Sequence, residues 1–317
     1  MHLADLPVED SPSLLDEHGP VFILGCPRSG TTFLSSCVAA IPGVREFVGV
    51  LAPPRMMHLI GSGVSTPIRE ELLSCVRDIF WQAFWRRVYF RGEKLSLLVE
   101  RSIGTREFLE KPDMDGKIFC YKEPFLCFAA EHFATHFPKS KFIHIIRDGR
   151  DNADSMVRTY GEALSDDVLA SDQLSYNKVS EIGTWRRIDG FNFPWWLPEA
   201  EETAFRQMSK YGRYVRLWKE MTLRCRALGK TLPPERYYEV KYDEFVKEPV
   251  AQGNRIREFL GHPDSAQFQK RLNKAFTKST GISGRNQPPE QLAEALAIAG
   301  DLLAELGYCE PDGQVGA

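Results

Sequence analysis

The chain has no apolar run approaching the roughly eighteen residues that a membrane-spanning helix requires. Its opening stretch, MHLADLPVEDSPSLLDEHGP, lacks a basic segment followed by an apolar one, so a secretory signal is not expected. Cysteine pairs are missing as well. The seven cysteines are scattered, odd in number and without a Cys-x-x-Cys spacing, which argues against a disulfide framework or a zinc site and for reduced thiols in a cytoplasmic protein. Charge of one sign is also lacking: 40 Lys and Arg against 43 Asp and Glu leave a formal net charge of −3. Bulk charge would therefore hold no nucleic acid or other polyanion, and any anion site has to be local. There is no internal repeat and no cluster of His, Cys, Asp and Glu spaced to ligate a metal.

What is present is a 317-residue chain, 43% hydrophobic, able to bury a sizeable core. It is organised around Val21–Thr32, VFILGCPRSGTT. A short apolar run, a Gly25-x4-Gly30 loop and hydroxyl residues opening a helix are how an α/β protein builds an anion cradle from loop N–H groups and a helix dipole. The loop departs from the nucleoside-triphosphate pattern GxxxxGK[ST], because Thr31 stands where the Lys would reach a terminal phosphate, and a cation comes earlier, at Arg28. A phosphate ester carrying one further anionic group suits such a loop better than a metal-bound polyphosphate. Ser29, Gly30, Thr31 and Thr32 would surround it and Arg28 would reach the bridging oxygen.

The rest of the chain alternates short strands with helices, which predicts one α/β domain with a central parallel sheet flanked by helices. Residues 1–19 form an acidic lead-in. Val44–Val50 is a second strand, Leu51–Ser65 with Pro53-Pro54 a loop, and Pro67–Phe90 a long helix carrying Phe80, Trp81, Phe84 and Trp85. Lys117–Tyr121 is a strand running into Lys122-Glu123-Pro124, with a helix over Phe125–Phe137. Lys141–Ile146, KFIHII, is a β-rich run of the sort that sits in a buried parallel sheet. Arg147 lies at its carboxyl end, the edge where open α/β sheets bind ligands, and Ser155 lies in the following helix. Residues 161–205 are weakly periodic but rich in aromatics, with Trp195 and Trp196 among them. The span 161–235 is expected to cover an acceptor cleft as a partly mobile lid. Further on come a helical stripe through Tyr211, Tyr214, Val215, Trp218 and Met221, the strand Arg236–Lys241, helices at about Val250–Leu260 and Ala266–Lys274, a loop over Phe276–Gln287, and a last helix over Glu290–Leu306.

The motif PRSGTT after an apolar strand resembles the 5′-phosphosulfate loop of sulfotransferases that use 3′-phosphoadenosine 5′-phosphosulfate (PAPS). IIRDGRDNADSM is similar to that family's second motif, in which the residues matching Arg147 and Ser155 hold the 3′-phosphate. The resemblance extends more softly over nearly the whole chain. Phe33 falls where the family stacks an aromatic on adenine, and VKYDEFVKEP would bring Tyr242 near the adenine. STGISGRN looks like a weakened form of the loop closing over the 3′-phosphate, with Arg285 as its cation and Asn286 where the family has an aromatic. The resemblance implies a P-loop-like fold and in-line transfer of a sulfuryl group to an acceptor hydroxyl or amine. 3′-Phosphoadenosine 5′-phosphate (PAP) would leave, without a metal.

A cation at the bridging oxygen stabilises the charge that builds there. Arg28, helped by Lys122, is placed to supply it. A general base must lie within reach of the acceptor's proton, and three candidates stand open: Glu123, which leads because it adjoins Lys122, then Glu46, then His58. Gly49 falls about where many relatives carry Glu. The aromatics Trp81, Trp85, Trp195 and Trp196 lean toward a largely apolar or aromatic small molecule as acceptor, though carbohydrate also stacks on such rings. Two other readings compete: a P-loop kinase or NTPase, against which the Lys missing after Gly30 counts, and a catalytically idle nucleotide-binding protein of the same fold.

Overall fold

The structure, a computed structural model, describes residues 19–47, 52–86, 117–171 and 185–309. β1 (Val21–Leu24) leads through a loop into α1 (Thr31–Val38), and β2 (Val44–Phe47), α2 (Ala52–Gly61) and α3 (Thr66–Arg86) follow. β3 (Ile118–Lys122) passes through a 3₁₀ turn, Pro124–Phe128, into α4 (Ala130–His136). β4 (Lys141–Ile146) is followed by α5 (Gly149–Tyr160), α6 (Asp166–Ala170) and a hairpin of β5 (Trp185–Ile188) and β6 (Phe191–Pro194). α7 (Glu202–Gln207) and α8 (Lys210–Thr231) precede β7 (Tyr237–Lys241). Then come α9 (Tyr242–Lys247), α10 (Pro249–Leu260), α11 (Ala266–Leu272), α12 (Ser283–Asn286) and α13 (Pro289–Glu305).

Five strands form one parallel sheet in the order β2-β3-β1-β4-β7, so β1 lies at the centre and its neighbours are reached by crossovers on either side. Both faces of the sheet are covered, as a parallel sheet demands. Successive side chains of a strand point to opposite faces. Phe22, Leu24, Phe119, Tyr121, Phe142 and Ile146 accordingly join the core beneath α3, α4, α5, α8 and α13. Val21, Ile23, Cys120, Ile143, Ile145 and Val240 join a second core beneath α1, α9, α10 and α11. Among the described residues no helix is long and apolar enough to cross a membrane.

Four segments differ from the expectation, and one of them, Phe276–Gln287, expected as a loop, carries the short helix α12. The stretch expected as a loop at Leu51–Ser65 contains α2, because Pro53 and Pro54 fall in a first turn whose N–H groups have no intrahelical acceptor to lose. Phe125–Phe137 is broken into the 3₁₀ turn and α4 at Ala129. The span 161–235, expected as one lid, contains the β5–β6 hairpin and also α8, whose Tyr211, Tyr214, Trp218 and Met221 are buried in the core. Residues 1–18, 48–51, 87–116, 172–184 and 310–317 lie outside the described residues, as do the side chains of Trp81 and Trp85.

Candidate functional site

All four residues of β1 are buried, and the chain turns sharply after Gly25. The Ser29 N–H donates to the Cys26 carbonyl at 3.0 Å across Pro27 and Arg28, and Arg28 has a φ of 72°. That is the pattern of a type II turn, whose second central position ordinarily takes Gly because φ must be positive. An arginine there carries about 1 kcal/mol or more of backbone strain, a cost that persists where a site requires it. Arg28 is exposed, whereas Ser29 and Thr31 are buried. Gly30 starts α1 at a φ of 93° with no side-chain cap, which leaves the first-turn N–H groups to an anion placed above them. The ring of Tyr242 lies so close over Gly30 that a Cβ there would fall 2.4 Å from it.

β4 runs beside β1, with Leu24 opposite His144, so Arg147 emerges just beyond the loop. Arg147 is only 3% exposed. Its Nη1 donates to the Arg28 carbonyl at 3.0 Å and its Nη2 to the Ser279 carbonyl. Its guanidinium lies 5.2 Å from the centre of the Tyr242 ring. Its Nε is buried with no hydrogen-bond partner among the described residues. Ser155, on the second turn of α5, accepts from Arg28 Nε at 3.2 Å. Arg28, expected at a bridging oxygen, thus turns its guanidinium toward Ser155, and the cations of the two loops share one cluster.

α5 holds this cluster together through residues that the sequence reading passed over. Eight consecutive residues, Gly149–Met156, are buried although most are polar. Such a helix has to pair its side chains, and that composition straight after a core strand was the available signal. Asn152 donates to the Pro27 carbonyl at 2.9 Å and to Ser29 Oγ at 2.8 Å. Asp151 accepts from the Ser283 N–H at 2.8 Å, from Ser283 Oγ at 2.7 Å and from the Gly281 N–H, and Asp154 accepts from Asn286 and Gln287. The segment 276–287 is thereby laid against the cluster, with the Tyr242 hydroxyl 2.6 Å from Ser279 Oγ. Arg285 of that segment is exposed, and its Nη2 lies 3.4 Å from the Thr280 carbonyl. The Phe33 ring is 5.4 Å from Phe245 and 5.7 Å from the Arg271 guanidinium, which also bonds Ser36 Oγ. Thr32 is exposed at the mouth of the loop.

On the other side of β1, Lys122 is the register partner of Ile23 and shares its face of the sheet, the one that α1 covers. Glu123 caps the following 3₁₀ turn, accepting from the Phe125 N–H at 3.0 Å. Glu46 accepts from the buried Ser35 hydroxyl of α1 and sits opposite Cys120, a thiol pushed well up first by burial and then by Glu46. Beyond the 3₁₀ turn stands an aromatic group. Phe128 is 5.1 Å from Trp195 and 6.2 Å from Phe125, and His58 of α2 is 6.3 Å from Trp195. α2 approaches so closely that a Cβ on Gly61 would lie 2.2 Å from the Phe128 carbonyl oxygen. Trp196 is buried behind Phe128.

A family profile described as "Sulfotransferase family" matches residues 20–188 and 196–266. The chain is 25% identical over 252 residues to protein-tyrosine sulfotransferase A of Caenorhabditis elegans, which covers 77% of this chain and 50% of that protein. It is 23% identical over 256 residues to the protein-tyrosine sulfotransferase of Drosophila melanogaster, covering 77% of this chain and 38% of that one. The chain thus spans half or less of the length of these curated relatives. Among solved structures, the sulfotransferase domain from the curacin biosynthetic pathway superimposes with a TM-score of 0.51 at 14% identity, covering 90% of this chain and 97% of that one. At that identity it shows a shared fold.

Proposed function

Since the chain belongs to the sulfotransferase family, we propose that it transfers a sulfuryl group from PAPS to a hydroxyl or amine of an acceptor. The observation that carries this reading is the meeting of Arg28, Arg147 and Ser155, delivered by the turns after two adjacent strands, at contacts of 3.0 and 3.2 Å. The donor set fits a nucleotide with anionic groups at two positions. Arg147, whose buried Nε awaits an acceptor, and Ser155 suit a 3′-phosphate. Arg28, Ser29, Thr31, Thr32 and the uncapped start of α1 suit a 5′-phosphosulfate. Tyr242 lies over Gly30 and is joined to Ser279 of the segment that carries Arg285, while Phe33 of α1 packs on Phe245 of α9.

PAPS supplies an activated sulfuryl group when bound. As the acceptor oxygen or nitrogen bonds to sulfur, the bond from sulfur to the phosphate oxygen breaks and PAP leaves. Lys122 would offset the charge that develops on that oxygen, joined by Arg28 once its guanidinium leaves Ser155. Glu123, fixed at the strand end by the Phe125 N–H, takes the acceptor's proton. The aromatic group of Phe125, Phe128, Trp195 and His58 supports a planar apolar small molecule or a carbohydrate as acceptor. The relatives named for protein tyrosine support a phenolic hydroxyl within that class. The free, mostly buried thiols support a cytoplasmic setting.

Calorimetric titration tests the reading. The protein is expected to bind PAP and not ATP–Mg²⁺, and Arg147→Ala is expected to weaken PAP strongly while the chain stays folded. A preference for ATP–Mg²⁺ would support the kinase or NTPase alternative, and PAP affinity unchanged in Arg147→Ala would remove the role given to that residue.

A further inference from the structure

Asn152 is 0% exposed, and its amide bridges two atoms of the first loop, the Pro27 carbonyl oxygen at 2.9 Å and Ser29 Oγ at 2.8 Å. A carbonyl oxygen can only accept, so the amide nitrogen has to face Pro27. Its second hydrogen then goes to Ser29 Oγ. The Ser29 hydroxyl therefore accepts from Asn152, and its own proton is directed elsewhere. Ser29 immediately follows the strained Pro27–Arg28 turn and is itself 1% exposed. We propose that Asn152 is a positioning residue for the 5′-phosphosulfate. It holds the turn from behind, so that Arg28 keeps its left-handed conformation, and it fills the Ser29 oxygen, so that the Ser29 proton faces the anion. The inference rests on the sulfotransferase reading and deepens it.

The geometry gives Asn152 a job distinct from those of its neighbours on α5. Asp151 and Asp154 are occupied by the segment 281–287, and Ser155 receives Arg28 Nε. Asn152 is thus the link from α5 to the backbone of the first loop. An aspartate of the same shape would reverse the polarity. It would accept the Ser29 proton, place a carboxylate against the Pro27 carbonyl, and add negative charge behind a site that binds anions.

The test compares PAP with adenosine 3′-monophosphate, which has the 3′-phosphate but lacks the 5′-phosphate. Affinities are measured by calorimetry for the wild type, Asn152→Asp and Asn152→Ala. PAP affinity is expected to fall by about tenfold to a hundredfold, the range for a hydrogen bond to a charged group, with the larger loss in Asn152→Asp. Affinity for adenosine 3′-monophosphate is expected to change much less. A merely structural role would weaken both ligands equally, and that result, or no loss for PAP, overturns the proposal. If Asn152→Asp does not fold, Asn152→Ala in a Ser29→Ala background keeps the question open to refutation. There it should cost PAP little beyond the Ser29→Ala loss, and full additivity overturns the proposal. A wild-type protein that binds neither PAP nor PAPS overturns the sulfotransferase reading itself, whereas wild-type binding with equal losses overturns only the role of Asn152.

Discussion

Arg28 is the residue at which this fold accepts strain for the sake of charge, and replacing it separates the two. In Arg28→Gly and Arg28→Ala the hydrogen bond to Ser155 Oγ is lost equally, so that contribution cancels between the variants. The backbone does not cancel. A non-glycine residue at a φ of 72° costs about 1–2 kcal/mol, and glycine relieves it. Glycine also raises the entropy of the unfolded chain by about 0.5–1 kcal/mol relative to alanine. The difference leaves Arg28→Gly more stable than Arg28→Ala by about 0.5–1 kcal/mol, or about 1–1.5 °C in melting temperature for a chain of this size. At an ordinary position the order would be the reverse. PAP binding should fall in both variants alike, by about tenfold to a hundredfold. Differential scanning calorimetry and PAP titration on the same samples read both effects. An alanine variant melting at or above the glycine variant refutes the strained turn, and PAP affinity retained in either refutes the contact between Arg28 and the nucleotide.

Two further perturbations probe the surroundings of the cluster. Glu123→Gln, assayed with whichever phenol, alcohol or sugar a screen identifies as acceptor, is expected to lower turnover far more than PAPS affinity. If turnover survives, the proton passes to Glu46 or His58, and those variants are assayed next. Asp243, beside Tyr242, has its carboxyl pushed up by burial first and then by Asp148 and Asp151. The folded state therefore holds that proton to higher pH than the unfolded chain does, and stability falls as pH rises through that window. Asp243→Asn, neutral throughout, should raise the melting temperature at pH 7, and the gain should vanish below about pH 4, where the carboxyl is protonated in both states. A gain of equal size at both pH values would refute the electrostatic account.

The strands were legible because burial on both faces writes β1 as the unbroken apolar run VFIL and β4 as the β-rich run KFIHII, in which His144 is buried among Phe and Ile. Helices with one packed face and a clear stop signal were equally plain. α10 ends at Gly261 with a φ of 78°, and the stripe through α8 is buried as its spacing implied. The readings that missed did so where one residue type has two meanings. Pro53-Pro54 reads as a breaker, yet proline suits a first helical turn, and α2 takes it there. Asp189-Gly190 between Ile188 and Phe191 is a two-residue hairpin signal lying within a stretch read as irregular, and both residues have the positive φ that such a turn needs. The partner of Glu46 is Ser35, across the interface of sheet and helix, a pairing that spacing along the chain does not reveal.

The strand register explains how a phosphate loop without its usual lysine can still be cationic. Ile23 is opposite Lys122 on one side and Ile143 on the other, so Lys122 stands level with Ile143, and Arg147 lies four residues further along. At about 3.3 Å per residue, that offset is about 13 Å along the strands, with two interstrand spacings of about 4.8 Å added across them. The first loop, with Arg28, occupies the space between. Positive charge is therefore laid out along a diagonal from β3 to β4 instead of being concentrated in one side chain after Gly30. A compact terminal phosphate could touch one end of that diagonal only. A nucleotide with anionic groups at its 3′ and 5′ positions would use that length, and the contacts of Arg28 with Arg147 and Ser155 tie the loop that lacks the lysine to the far end of the diagonal, as the proposed function requires.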